Sequence, residues 1–99
     1  MSDLTTLVVT AIPNPSAMES VQAYLNGVMP LFLGAGGQLV KRLKVGDVLL
    51  GNTSGMVLVM DFESREAIRA VFDSAEYSAL VPVRDRGFRE MNILVASEL

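Results

Sequence analysis

Asp61 is the residue of this sequence best suited to act as an acid or a base, because it is the single charged side chain in the apolar segment Met56–Phe62. Side chains alternate between the two faces of an extended strand. If Phe62 packs beneath helices, Asp61 therefore points to the opposite face, together with Val59. Apolar surroundings make a carboxylate more basic unless a partner offsets them, and basic carboxylates serve as general bases. Asp61 is the candidate catalytic residue.

A structural role for Asp61 is the alternative. The carboxylate could form an ion pair with Arg42 or Arg84, or it could be solvated at the rim of a sheet. Structural ion pairs perturb carboxylates in the same way as active sites do. The sequence therefore leaves both roles open.

Four further side chains are candidates for substrate binding. An arginine binds a carboxylate or phosphate through two parallel hydrogen bonds, and a tyrosine offers a phenolic hydroxyl. Each also has a structural alternative, since arginines join helices to sheets and buried tyrosines commonly serve as core residues with a bonded hydroxyl. The candidates are Arg84, Tyr77, Tyr24 and Arg42.

The sequence contains no cysteine and no histidine. Disulfides, thiol nucleophiles, the usual zinc sites and histidine-containing catalytic triads are therefore excluded. No acidic loop of the calcium-binding type is present either. We accordingly expect neither a metal nor a bound cofactor.

The charge of the chain argues against nucleic acid as a partner. The net charge is −3, with eight basic residues among 99, and no basic stripe interleaved with aromatic residues is present. No lysine or arginine precedes Lys41, which argues against a secretory or transit segment. Polar residues, glycine and proline interrupt every apolar run before it could span a membrane. We expect a cytoplasmic protein that does not enter membranes.

Hydrophobic patterns predict four strands and two helices. The strands are predicted at Leu4–Ile12, Gln38–Lys44 with a short continuation at Val48–Leu50, Met56–Phe62 and Met91–Ser97. The first helix follows from apolar residues at helical spacing: Met18, Val21, Leu25, Val28 and Phe32. The second begins at the cap Ser64, restarts near Asp73 or Ser74, and is predicted to end at Pro82.

The order β-α-β-β-α-β predicts one α+β domain over residues 1–99, a ferredoxin-like plait. In this fold a four-stranded antiparallel sheet carries two helices on one face. The strand Met56–Phe62 is apolar on both faces, with Val57 and Val59 on one side and Met60 and Phe62 on the other. Helices cover only one face. We therefore expect a homodimer that packs the uncovered sheet faces together.

The chain resembles the DUF1330 proteins of the dimeric α+β barrel superfamily over nearly its full length. The matching elements, in chain order, are Tyr24, Gly36-Gly37 before Leu39–Arg42, Met56–Phe62 followed by Glu63-Ser64, the turn Phe72–Tyr77, and Arg84. Asp61 stands where the family has a glutamate, one methylene longer. The resemblance implies the fold and the dimer and leaves the activity open.

Two hypotheses for the function follow. In the first, a cofactor-independent enzyme acts on a small molecule inside the barrel, with Asp61 as base, Arg84 as anchor and Tyr77 or Tyr24 as orienting donor. In the second, the homodimer is a non-catalytic small-molecule-binding or interaction module. A solvent-accessible pocket in which Asp61 and Arg84 converge favours the enzyme, and a closed interface filled by Met and Val side chains favours the non-catalytic module.

Overall fold

The structure of the protein is a computed structural model that describes residues 4–52 and 55–99. The strands and helices follow the predicted order β-α-β-β-α-β, with three short helices in place of the second predicted helix. The strands are β1 (Thr5–Pro13), β2 (Gln38–Lys44), β3 (Met56–Phe62) and β4 (Phe88–Ala96). The helices are α1 (Met18–Gly34), which follows a 3-10 turn at Pro15–Ala17, and then α2 (Arg65–Phe72), α3 (Ala75–Ser78) and α4 (Val81–Gly87). The predicted bounds of β2 and β3 are confirmed to the residue.

The four strands form one antiparallel sheet in the order β2-β3-β1-β4. The central strands β1 and β3 pair Thr6 with Asp61 and Leu7 with Met60. Strands β2 and β4 are therefore the two edges of the sheet. This arrangement confirms the ferredoxin-like fold that the element order predicts.

One face of the sheet carries the core. Leu7, Met60 and Phe62 are at most 1% exposed, and Phe62 packs edge-to-face against Phe32 of α1. We call the opposite side the open face. On it Val8, Val57 and Val59 are half-buried, and Leu94 is 50% exposed. The described helices thus cover one face and leave the other uncovered, where an apolar centre around Val8 is flanked by polar residues such as Thr10 and Asn92.

Local sequence signals set the helix ends. The hydroxyl of Ser64 accepts a hydrogen bond from the Ala67 amide and begins α2, and the hydroxyl of Ser74 accepts one from the Tyr77 amide and begins α3. Gly36 follows α1 at a φ of +86°, a conformation that glycine adopts without steric cost. The caps predicted at Ser64 and Ser74 are both confirmed.

Two predicted elements are wrong. Pro82 does not end a helix but lies in the first turn of α4, where proline is favoured because its missing amide hydrogen has no partner to lose. Residues 84–90, which lie between the predicted helix end and the predicted last strand, are therefore the end of α4 and the start of β4. Residues 48–50 are not a strand, and Leu49 and Leu50 are 98% and 96% exposed.

Helix α4 is held against α1 by a close backbone contact. A Cβ atom at Gly87 would lie 2.9 Å from the backbone nitrogen of Val21, too near for any larger residue. The amide of Asn14 also donates a hydrogen bond of 2.8 Å to the carbonyl of Gly87. These contacts fix the position of the helix that carries Arg84.

Candidate functional site

Tyr24 of α1 and Tyr77 of α3 meet in the core. Their hydroxyl oxygens are 2.9 Å apart, and each residue is 3% exposed. Their rings are nearly perpendicular, with centroids 6.2 Å apart. Each buried hydroxyl thus satisfies the other, which a buried polar group requires.

Arg84 of α4 joins this pair from the surface. Its Nη1 group donates a hydrogen bond of 3.1 Å to the Tyr77 hydroxyl, and its Nε–H donates one of 3.2 Å to the carboxylate of Asp85. The guanidinium carbon also lies 5.9 Å from the centroid of the Tyr77 ring. A guanidinium has five N–H donors, so these contacts with described residues leave three for another acceptor. Arg84, Tyr77 and Tyr24 form a hydrogen-bonded series, which we call the tyrosine–arginine cluster.

Burial sets the electrostatics of the cluster. Desolvation raises the pKa of Tyr24 well above its ordinary value, and the hydrogen bond to Tyr77 adds to the effect. Partial burial by itself would lower the pKa of Arg84, but the contacts with Tyr77 and Asp85 outweigh it and the pKa is raised. At neutral pH the cluster therefore holds a neutral Tyr24 hydroxyl and a permanent positive charge at Arg84.

A groove opens beside this charge along the edge strand β4. Its volume is about 420 Å³. Both polar and apolar side chains line it: Arg84, Asp85, Phe88, Arg89, Glu90, Met91 and Ile93. A small molecule with an anionic end and an apolar body matches such a lining.

Asp61 lies elsewhere, on the open face of the sheet. Its carboxylate accepts a hydrogen bond of 2.7 Å from the hydroxyl of Thr6 on the neighbouring strand. Arg84 belongs to the helix layer on the other side of the sheet. The structure therefore does not bring Asp61 together with Arg84 within one chain, and the convergence that the enzyme hypothesis needs is absent from the described residues.

Arg42 lies on the opposite side of the sheet from Asp61. A bulge at Val40 shifts the register of β2, so Arg42 pairs with Leu58 on the helix side while Asp61 faces the other way. Because β2 and β4 are opposite edges, Arg42 lies at least about 14 Å from the β4 edge, three strand spacings away. It lines a separate groove of about 490 Å³ with Lys44. Neither predicted ion pair of Asp61 is present among the described residues, where Arg84 and Asp85 form the ion pair observed.

Sequence reasoning missed several residues of the β4 groove. Phe88, Arg89 and Met91 line the groove but were not among the residues predicted to form a site. The available signal was Pro82, which can begin a helix as readily as end one and would have placed Phe88 one turn after Arg84. Thr6, the partner of Asp61, had no signal apart from the strand register.

No cluster of acidic residues suited to hold a metal ion occurs in residues 4–52 and 55–99. Within the same ranges, no helix is both long enough and apolar enough to cross a bilayer.

Known structures share this fold. A protein of unknown function from Rhodopseudomonas palustris superposes with a TM-score of 0.84 at 16% identity, over 100% of this chain and 85% of that one. A dimeric ferredoxin-like protein of unknown function from Thermobifida fusca gives 0.63 at 12% identity, over 99% and 93%. A candidate antibiotic biosynthesis monooxygenase from Nitrosomonas europaea gives 0.65 at 12% identity, over 100% and 93%. At these identities the likeness shows the fold alone.

Sequence comparison gives the family. No curated protein matches the chain. The family described as "Domain of unknown function (DUF1330)" matches residues 5–99, nearly the whole sequence. With its ferredoxin-like sheet and this match, the chain belongs to the DUF1330 family.

Proposed function

We propose that this protein is a homodimeric, non-catalytic binding protein for a small molecule that carries a negative charge and an apolar body. The charged end binds Arg84 and the apolar body lies along the β4 groove. The expectation of a cytoplasmic protein without membrane partners remains part of this proposal, and the net charge of −3 argues against nucleic acid as a partner.

The observation that carries the proposal is the placement of Arg84 at the mouth of the groove. Its guanidinium is oriented by Tyr77, whose hydroxyl is in turn bonded to buried Tyr24. A pre-oriented guanidinium loses little conformational freedom when it binds an anion. The nearby carboxylate of Asp85 is 64% exposed and can exchange its contact for water when an anion arrives.

The position of Asp61 favours binding over catalysis. The enzyme hypothesis requires a base and an anchor that act on one molecule, yet Asp61 and Arg84 lie on opposite sides of the sheet. The neighbour from Nitrosomonas europaea that is described as a candidate monooxygenase is 12% identical, so its activity is not carried over.

The open face supports the homodimer. Its apolar side chains include Val8, Val57 and Val59, and the exposed Leu43 and Leu94 extend the same surface to the sheet edges. Contiguous exposed apolar surface of this kind marks an interface. The neighbour from Thermobifida fusca is itself described as dimeric. A second copy of the sheet would cover this face.

Thermal unfolding in the presence of hexanoate and of its uncharged analogue hexanamide tests the binding proposal. A ligand that binds the folded state raises the unfolding midpoint by mass action. We expect hexanoate to raise the midpoint of the wild-type protein more than hexanamide does. Arg84→Gln should abolish that difference, whereas Arg86→Gln, the same change two residues along α4 and outside the groove, should preserve it.

The comparison is made relative to the ligand-free midpoint of each variant, so any stability lost with the Tyr77 contact cancels. Equal stabilisation of the wild-type protein by both compounds, or full retention of the hexanoate effect in Arg84→Gln, contradicts the proposal. The homodimer has a separate test, because sedimentation velocity that shows a monomer at all concentrations refutes it.

A further inference from the structure

We propose that the β4 groove continues into an apolar chamber between α1 and the sheet, and that Met91 is a displaceable plug between them. The ligand class is then narrower: a carboxylate with an unbranched apolar tail that enters the chamber where Met91 now lies. This inference rests on the proposed function and specifies what the same site accepts.

The chamber is a small cavity on the helix side of the sheet. Its volume is about 30 Å³, room for little more than one water molecule. Apolar side chains from α1 and from three strands line it, among them Val28, Phe32, Val9 and Leu58. A polar solute would find almost no hydrogen-bond partners there, whereas an alkyl tail would be fully desolvated.

Two residues line both the chamber and the β4 groove. They are Phe88 and Met91, and they form the wall between the two spaces. Phe88 is 7% exposed and its ring packs edge-to-face on Tyr24, with centroids 5.5 Å apart. Phe88 is therefore the fixed part of the wall.

Met91 is the movable part. It is half-buried on β4 opposite Ala11, whose methyl group leaves room for another side chain to reorient. Methionine is unbranched and flexible, and it adapts to new neighbours at low cost. If its side chain turns toward solvent, the space that it vacates adds to the chamber and suits a tail of similar length.

Tyr24 connects the two ends of this site. Its ring lines the chamber, and its hydroxyl is bonded to Tyr77, which is bonded to Arg84. A ligand that spans from the guanidinium to the chamber therefore stays beside one continuous hydrogen-bonded series. The charge and the tail are recognised by neighbouring parts of the same structure.

Calorimetric titration with acetate, butanoate, hexanoate and octanoate tests the inference. Each methylene group that leaves water should strengthen binding about fourfold, so affinity should rise steeply from butanoate to hexanoate and level off once the chamber is full. Met91→Ala opens the wall and should strengthen hexanoate binding relative to acetate. Met91→Phe blocks it and should flatten the series. Val95→Ala, on the same strand and the same side of the sheet but lining neither the groove nor the chamber, should leave the slope of the series unchanged.

Methyl NMR of the wild-type protein provides a second test, which does not depend on the folding of any variant. The Met91 methyl signal should shift on titration with octanoate and stay in place with acetate. Arg84-dependent affinity that rises with chain length equally in the wild-type protein and in Met91→Phe would overturn the chamber and leave the proposed function intact. Failure of every acid to bind the wild-type protein would overturn both.

Discussion

The two sides of the sheet place similar polar groups in very different settings. On the helix side, Arg84, Tyr77 and Tyr24 run in series from the surface into the core and end beside an apolar chamber. On the open face, Asp61 bonds to Thr6 of one neighbouring strand and pairs with Gln38 of the other, and no helix in residues 4–52 and 55–99 covers this face. Under the proposed function, the helix side binds a small ligand and the open face binds a second copy of the chain.

The difference shows that a charged residue takes its role from what lies next to it. The guanidinium of Arg84 is oriented by a buried hydroxyl and lines a groove, so it loses little conformational freedom when it binds an anion. Asp61 satisfies one lone pair with Thr6 and needs no ligand to do so. A carboxylate in an otherwise apolar strand is thus explained by cross-strand pairing.

The largest expected effect is the loss of dimer affinity caused by a substitution on the open face. Val8→Asp places a charge at the centre of that face, and an unpaired charge buried in an interface costs about 3–5 kcal/mol. Dimer affinity should therefore fall by more than about 100-fold, as measured by sedimentation equilibrium. Ala70→Asp adds the same charge to an exposed site on α2 and should leave association unchanged. Equal association of both variants would show that the open face is not the interface.

The next largest effect is the loss of stability caused by removing a hydroxyl on the helix side. Tyr77→Phe leaves the buried hydroxyl of Tyr24 without its partner and removes an acceptor from Arg84, which should lower the free energy of unfolding by about 1–3 kcal/mol. Urea denaturation measures the change. The double variant Tyr24→Phe/Tyr77→Phe should lose less than the sum of the single variants, because it leaves no orphaned hydroxyl between them. Simple additivity would indicate that the two hydroxyls do not interact.

The pH dependence of stability tests the buried Tyr24 hydroxyl on the helix side. The folded state raises the pKa of Tyr24, so folding favours the protonated phenol. This contribution is fully present below about pH 10, the ordinary value of tyrosine, and is lost as the pH rises above it. Above that pH, the free energy of unfolding should fall by up to about 1.4 kcal/mol per pH unit because of Tyr24. Urea midpoints between pH 8 and 11 should fall more steeply in the wild-type protein than in Tyr24→Phe, and parallel curves would contradict the account.

The smallest effect is expected at Asp61. Asn in its place keeps an oxygen that can accept the Thr6 hydrogen bond, so Asp61→Asn should change the free energy of unfolding by less than about 1 kcal/mol. Calorimetric titration should give unchanged hexanoate affinity, because Arg84 lies on the other side of the sheet. A loss of hexanoate binding without a loss of stability would restore Asp61 as a functional residue.

Local patterns predicted much of the fold. Alternation and composition located β2 and β3, and the serines that begin α2 and α3 follow from capping chemistry that acts over three residues. The local sequence could not show whether Pro82 begins or ends a helix, because proline suits both the first turn of a helix and the position after its end. Only the packing of Gly87 on α1 shows which applies here.

The candidate site was harder to predict because it depends on distant contacts. Tyr24 and Tyr77 are separated by 53 positions in sequence, and no local pattern pairs them. The bulge at Val40 reverses the side on which Arg42 lies, and a shift of one residue is invisible in composition. The sequence named Tyr24, Tyr77 and Arg84 as candidates, but it could not show that they contact one another and that Asp61 and Arg42 do not join them.

The central claim is that ligand binding belongs to the helix side and not to the open face. An amide NMR titration of the uniformly labelled wild-type protein with hexanoate tests it most directly. The account predicts saturable shifts at Arg84, Phe88 and Met91, with Thr6 and Asp61 unchanged. Shifts concentrated at Thr6, Asp61 and Val59, with none along α4 and β4, would contradict it.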